Sequence, residues 1–94
     1  MAQDVCPLCR TGAHLAKEFD QESGSLVTAV ECPRCGRYRL TPRAWTSRER
    51  SCLAAYVQHE NKVGRRPPRI ADDNWKTLVR IGEALLQRQS GAKP

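Results

Sequence analysis

The alternation of apolar and polar positions changes period near residue 41. Before it, Leu15, Lys17 and Phe19 fall on one strand face and Ala16 and Glu18 on the other. The face carrying Leu15 and Phe19 is expected to be covered. Asp20-Gln21-Glu22-Ser23-Gly24-Ser25 has the composition of a turn, and Leu26-Val27-Thr28-Ala29-Val30 reads as a strand rich in β-branched residues. The two strands form a hairpin, and residues 36–40 supply a third short strand. Residues 1–5 read as a polar lead-in.

After residue 41 the apolar spacing becomes three and four. Trp45, Cys52, Leu53, Tyr56 and Val57 form one stripe, ended by Gly64. The helix starts either at Thr41, with Pro42 in the first helical position, or at Thr46, whose spacing to Glu49 is that of a capping box. A second stripe comprises Trp75, Leu78, Val79, Gly82, Leu85 and Leu86, with Asp72 as N-cap and Asp73 in the first turn. Ser90-Gly91 ends that helix, residues 92–94 are expected to fray, and Ile81 lies off the stripe. Gly82 sits on the apolar face, where it permits close helix approach. Neither helix can bury its stripe alone, so the two are expected to pack as an antiparallel pair. The strands would dock on one end of it through Leu15, Phe19 or Tyr38, with Trp45 and Trp75 anchoring a small core. The expected architecture is a small α+β metal-bound domain. Residues 1–41 form its β-hairpin part, residues 42–94 its helical pair, and the two make a single compact unit.

The metal enters through the cysteines. Cys6-Pro7-Leu8-Cys9 and Cys32-Pro33-Arg34-Cys35-Gly36 are paired C-P-x-C turns separated by 22 residues, a span that can form the hairpin. Two thiolates three positions apart grip one side of an ion, and a second pair completes the tetrahedron that zinc accepts in closed structural sites. Proline presets φ in each turn, and Gly36 can take the left-handed conformation that follows. A chain of 94 residues buries a modest share of its surface, and its hairpin third would bury almost none unaided. Metal binding supplies the missing folding free energy. His14, five residues after Cys9, is read as solvated or outside the ligand shell, because four cysteines already close it. Cys52 reads as a small buried side chain rather than a ligand or a reactive thiol. An odd count of five cysteines, no apolar leader core and no stretch of membrane-spanning length point to a reducing cytoplasm. There, paired C-x-x-C motifs are more often metal sites than disulfides. A thioredoxin-like redox site would need a βαβ context, and the sequence shows none.

The two turns resemble the knuckles of the zinc-ribbon (rubredoxin-like) family. Cys35-Gly36-Arg37-Tyr38-Arg39-Leu40-Thr41 looks like the second knuckle running into its strand. The specific part of the resemblance covers residues 6–41. The order of ribbon, helix, proline-containing link and helix is similar to N-terminal zinc-ribbon regions of uncharacterised bacterial and phage proteins. Arg10 departs from the family pattern, which usually has glycine there. The resemblance implies one structural zinc held between β-hairpins. It also raises nucleic acid as a partner, because zinc ribbons often bind DNA or RNA.

Charge bears on the partner. Sixteen Lys and Arg against ten Asp and Glu give a formal +6. Four thiolates and one divalent ion lower this to about +4. Candidate contacts are Arg34, Arg37 and Arg39 on the knuckle and strand, Arg48 and Arg50 at the helix start, and Lys62, Arg65, Arg66 and Arg69 around a stiff, exposed Pro67-Pro68 link. One continuous basic stripe would favour nucleic acid, whereas arginines spread over several faces would favour an acidic protein surface. The protein reading covers an adaptor or a phage-type inhibitor of a nucleic-acid-handling complex. No catalytic residues are identified: there is no Ser/His/acid set, glycine-rich phosphate loop or carboxylate pair, and His14 and His59 lie far apart. Iron-based electron transfer would use the same four cysteines, but a basic chain with two further helices does not suit it. The leading expectation is a non-enzymatic binding protein acting on nucleic acid.

Overall fold

The computed structural model describes residues 4–22, 24–41, 43–64 and 66–91, the last three by backbone alone. Residues 1–3, Ser23, Pro42, Arg65 and residues 92–94, each given a role above, lie outside them. Five strands form one sheet in chain order: β1 (Asp4–Val5), β2 (Gly12–Asp20), β3 (Ser25–Cys32), β4 (Gly36–Leu40) and β5 (Arg69–Ile70). Helix α1 (Ser47–Val63) lies between β4 and β5, and α2 (Trp75–Gly91) follows β5. The lead-in thus contributes β1, which pairs antiparallel with Gly12 and Ala13.

The β2–β3 hairpin pairs Leu15 with Val30 and Phe19 with Leu26. Gly24, at φ +70°, closes its turn by donating its N–H to the Asp20 carbonyl, 2.8 Å away. Pairing of Val30 with Tyr38 and of Cys32 with Gly36 then adds β4. Because side chains alternate, Ala13, Leu15, Val30, Cys32, Tyr38, Leu40 and Ile70 share one face. Most are buried there, against Leu53, Ala54 and Val57 of α1 and Leu78 of α2. The cover stops before the hairpin tip. Leu15 packs on the core, but Phe19 is 63% exposed and its partner Leu26 is 59% exposed. The expected covered face is therefore covered only at its knuckle end, because α1 is keyed to that end of β4.

Helix α1 uses the second of its two candidate starts. The Thr46 hydroxyl accepts the Glu49 N–H at 3.1 Å, and the Glu49 carboxylate accepts the Thr46 N–H at 2.9 Å. Trp45 therefore precedes the helix instead of joining its stripe. It meets Trp75 edge-on, with ring centroids 5.4 Å apart. Asp72 is exposed, and α2 begins only at Trp75. Its start is tied down by Asn74, which accepts the Ala71 N–H at 2.7 Å and donates to the Arg69 carbonyl at 2.9 Å.

The link between the helices is not a free spacer. Pro68 is buried, and Arg69–Ile70 pair in parallel with Arg39 and Leu40. Residues 69–70 thus extend the sheet beyond a boundary at residue 41. The β4–α1–β5 connection is a short βαβ unit, a context the sequence did not reveal. It also sets the helix direction. By returning the chain to the end where α1 starts, β5 makes contacts advance together along the chain: Trp45 meets Trp75, and seven residues further on in each, Cys52 meets Gly82. The two helices pack as expected, but in the same sense rather than antiparallel. Among the described residues, no helix is long and apolar enough to cross a membrane.

A Cβ at Gly82 would overlap the backbone carbonyl of Cys52. The obstacle is backbone in the middle of a helix, so it cannot rotate away. Gly82→Ala is expected to destabilise the fold by about 2–3 kcal/mol, read as a lower midpoint in chemical denaturation. An unchanged midpoint would show that the helices do not approach closely there.

Candidate metal centre

Each cysteine pair sits on a tight turn. In the first, the Cys6 N–H bonds the Thr11 carbonyl at 2.8 Å, and the Arg10 N–H bonds the Cys6 carbonyl at 2.9 Å. In the second, the N–H groups of Arg34 and Cys35 point at the Cys32 sulfur from 3.4 and 3.3 Å. Such N–H groups stabilise a thiolate. The position after each turn has a positive φ, +64° at Arg10 and +100° at Gly36. Glycine accepts this freely, whereas an L side chain there costs roughly 1–2 kcal/mol. The first turn therefore keeps an arginine at a backbone position better suited to glycine, and that side chain is exposed.

The β2–β3 hairpin brings the turns together. The four cysteine sulfurs of Cys6, Cys9, Cys32 and Cys35 all lie within 4.8 Å of one another. Cys6 and Cys35 are 4.0 Å apart, and Cys9 and Cys32 are 3.4 Å apart. A tetrahedral ion bound at about 2.3 Å separates its sulfurs by about 3.8 Å, so the arrangement fits one ion. Disulfides need about 2.05 Å, and all five cysteines are free. Cys6, Cys32 and Cys35 are buried, and Cys9 is half-buried. His14 is exposed on the opposite sheet face, and Cys52 is buried in α1; neither joins the group.

Four thiols this close cannot all ionise without a cation. The Cys35 thiol is pushed up by its hydrogen bond to Cys6 and then by burial. Burial pushes Cys32 up as well. Cys6 moves the other way, down to about 4, because the hydrogen bond from Cys35 and that from Tyr38 outweigh burial. A bound metal ion would take the place of the protons and favour all four thiolates.

The surrounding residues were less legible. The Tyr38 hydroxyl lies 2.9 Å from the Cys6 sulfur, placed to donate to a thiolate, and Tyr38 is 1% exposed. Gln58 of α1 reaches Cys35 at 3.9 Å. One turn further, Asn61 accepts the Arg37 N–H at 3.0 Å and donates to the Arg37 carbonyl and the Val57 carbonyl, each at 2.9 Å. It packs so tightly on Gly36 that no Cβ would fit between them. The signal was present in the sequence as Gln58 and Asn61, polar residues at helical spacing beside the apolar stripe.

The candidate contact residues do not form one surface. Arg37 pairs with Glu31 at 3.3 Å and Arg39 with Glu18 at 3.0 Å, both on the sheet face away from the helices. Arg48 pairs with Glu83 across the helices. Arg50 donates to the Trp45 carbonyl at 2.8 Å and to the Ser47 hydroxyl at 3.1 Å. Arg34, Lys62 and Arg66 are exposed, with no carboxylate in ion-pair range among the described residues. Arg69 corrects the expectation of an exposed link. Its side chain is 21% exposed and engages Asp20 at 2.9 Å, with Glu22 and Asp73 each at 3.5 Å. It is consumed by the fold, because β5 turns it toward the end of β2.

Tyr38→Phe is expected to weaken metal affinity about 10–100-fold while leaving the core volume unchanged, as measured by competition with a chromogenic chelator. Wild-type affinity in the variant would mean that the hydroxyl does not support the cysteine. Arg10→Gly is expected to raise stability by up to about 1 kcal/mol; a lower thermal midpoint would show that the arginine has a structural role.

No protein-family model, curated protein or solved structure matches this chain, so the centre is interpreted from its own geometry.

Proposed function

We propose that this chain is a non-enzymatic zinc-ribbon protein that binds nucleic acid. Cys6, Cys9, Cys32 and Cys35 hold one structural Zn²⁺. Four thiolates in tetrahedral reach suit zinc in a closed site, with no open position for an activated water or substrate. The ion's task is to fix the knuckles and, through Tyr38, Gln58 and Asn61, the helix that rests on them.

The observation that carries the partner assignment is the basic charge left without carboxylate partners, not its layout, which is spread over several faces. Glu18, Glu31 and Glu83, with the carboxylates around Arg69, are matched to Arg39, Arg37, Arg48 and Arg69. Positive charge without such partners remains near the second knuckle at Arg34, in the last turn of α1 at Lys62 and just beyond that helix at Arg66. Unpartnered basic groups can neutralise the phosphates of a nucleic-acid backbone, with release of its condensed counterions.

A second reading, an adaptor or inhibitor that docks on an acidic protein, is favoured by two observations. The basic residues occupy several faces, and the Phe19–Leu26 pair is exposed. The two readings separate on the ligand. The zinc-loaded protein is expected to bind duplex or single-stranded oligonucleotides at low salt, with log affinity falling linearly as log salt rises. Fluorescence anisotropy measures both. No binding to either form at low salt, where the electrostatic contribution is greatest, would refute the nucleic-acid reading and leave the protein partner.

A further inference from the structure

A cleft of about 530 Å³ opens between the first knuckle and the start of α1. Its lining includes Arg10, Arg43 and Arg50, together with Val5, Cys6, Pro7 and Trp45, and among the described residues it contains no Asp or Glu. Arg10 and Arg43 were not among the contacts expected from the sequence. They lie 33 residues apart along the chain, and only the fold brings them to one hollow.

Three like charges around one cleft would drift apart if they were free. Here the side chains of Arg43 and Arg50 are each held by a different device, and Arg10 is positioned through its backbone. Arg43 is stacked on two rings, 4.8 Å from the centroid of Trp45 and 4.2 Å from that of Trp75. Arg50 is fixed by its bonds to the Trp45 carbonyl and the Ser47 hydroxyl. These use two of the five N–H donors that a guanidinium carries. Arg10 is placed by the left-handed backbone of the first knuckle, at the position equivalent to Gly36 in the second. An exposed side chain kept where glycine would be less strained points to a use for that side chain. None of the three has a carboxylate in ion-pair range among the described residues, in contrast to Arg37, Arg39, Arg48 and Arg69.

We propose that this cleft is a phosphate-binding subsite, in which Arg10, Arg43 and Arg50 take a backbone phosphate of the bound nucleic acid. The phosphate source rests on the nucleic-acid reading above; the subsite rests on the cleft itself. Guanidinium groups suit phosphate because their forked donors match its oxygens. Pre-placed donors lose little freedom on binding.

The test uses the intact zinc-loaded protein with two probes: a short oligonucleotide, as duplex and as single strand, and inorganic pyrophosphate. Arg10→Gly relieves backbone strain, so it is a variant expected to fold. Arg43→Gln is a second, and Arg80→Gln, an exposed arginine on α2, controls for net charge. Arg10→Gly and Arg43→Gln are each expected to weaken oligonucleotide binding about tenfold or more, and to lower the salt slope on duplex by about one unit. Arg80→Gln should do neither. Pyrophosphate should shift the Nε–H resonances of Arg10 and Arg50 in ¹⁵N spectra. If the oligonucleotide binds and the cleft variants behave like Arg80→Gln, the subsite is overturned while nucleic-acid binding stands. If only pyrophosphate binds, and Arg10→Gly abolishes it, the subsite stands and its ligand is a small phosphorylated molecule rather than nucleic acid. If neither probe binds, both readings fall.

Discussion

The convergence of four cysteine sulfurs into one tetrahedral set is the constraint on which the rest of this structure depends. The β2–β3 hairpin that joins the two turns runs past its cover, with Phe19 and Leu26 open to solvent. Apolar burial alone would hold such a hairpin weakly. The sulfurs can coincide only if the hairpin pairs in one register and both knuckles keep their left-handed exit. A metal ion held by these sulfurs would therefore select the register as well as stabilise it.

Helix α1 is bound to that constraint by specific contacts rather than by grease alone. Leu53 and Val57 fill the core, but Gln58 and Asn61 read the second knuckle directly, one at the Cys35 sulfur and the other at the Arg37 backbone. The close fit of Asn61 on Gly36 leaves little freedom to slide. Helix α2 is then located by two further contacts, the Gly82 approach to Cys52 and the Trp45–Trp75 pair. Order passes from the sulfurs to the first helix and from there to the second.

The charged residues divide by neighbourhood. On the outer sheet face, and around Arg69, carboxylates and guanidiniums neutralise one another, so these arginines serve the fold or stay locally balanced. At the first knuckle the balance is absent, and Arg10, Arg43 and Arg50 face a hollow with aromatic support. The two knuckles are alike in turn geometry and differ in the residue that follows. Gly36 lets a helix side chain pack against the backbone, whereas Arg10 presents charge to solvent.

Local patterns made the two C-P-x-C turns, the hairpin, the two helices and the close approach at Gly82 legible, because each depends on residues adjacent in sequence or at a fixed period. The capping box at Thr46 was legible as one of two starts. Only the tertiary structure decided the fifth strand at Arg69–Ile70, the shared direction of the helices, the exposure of Phe19 and the arginine cleft. Apolar spacing states that a face is buried, not which element buries it or how far the cover extends. The parallel pairing of β5 with β4 is a contact between residues 30 apart. Nothing within either segment specifies that contact, yet it turns Arg69 inward and brings the starts of both helices together.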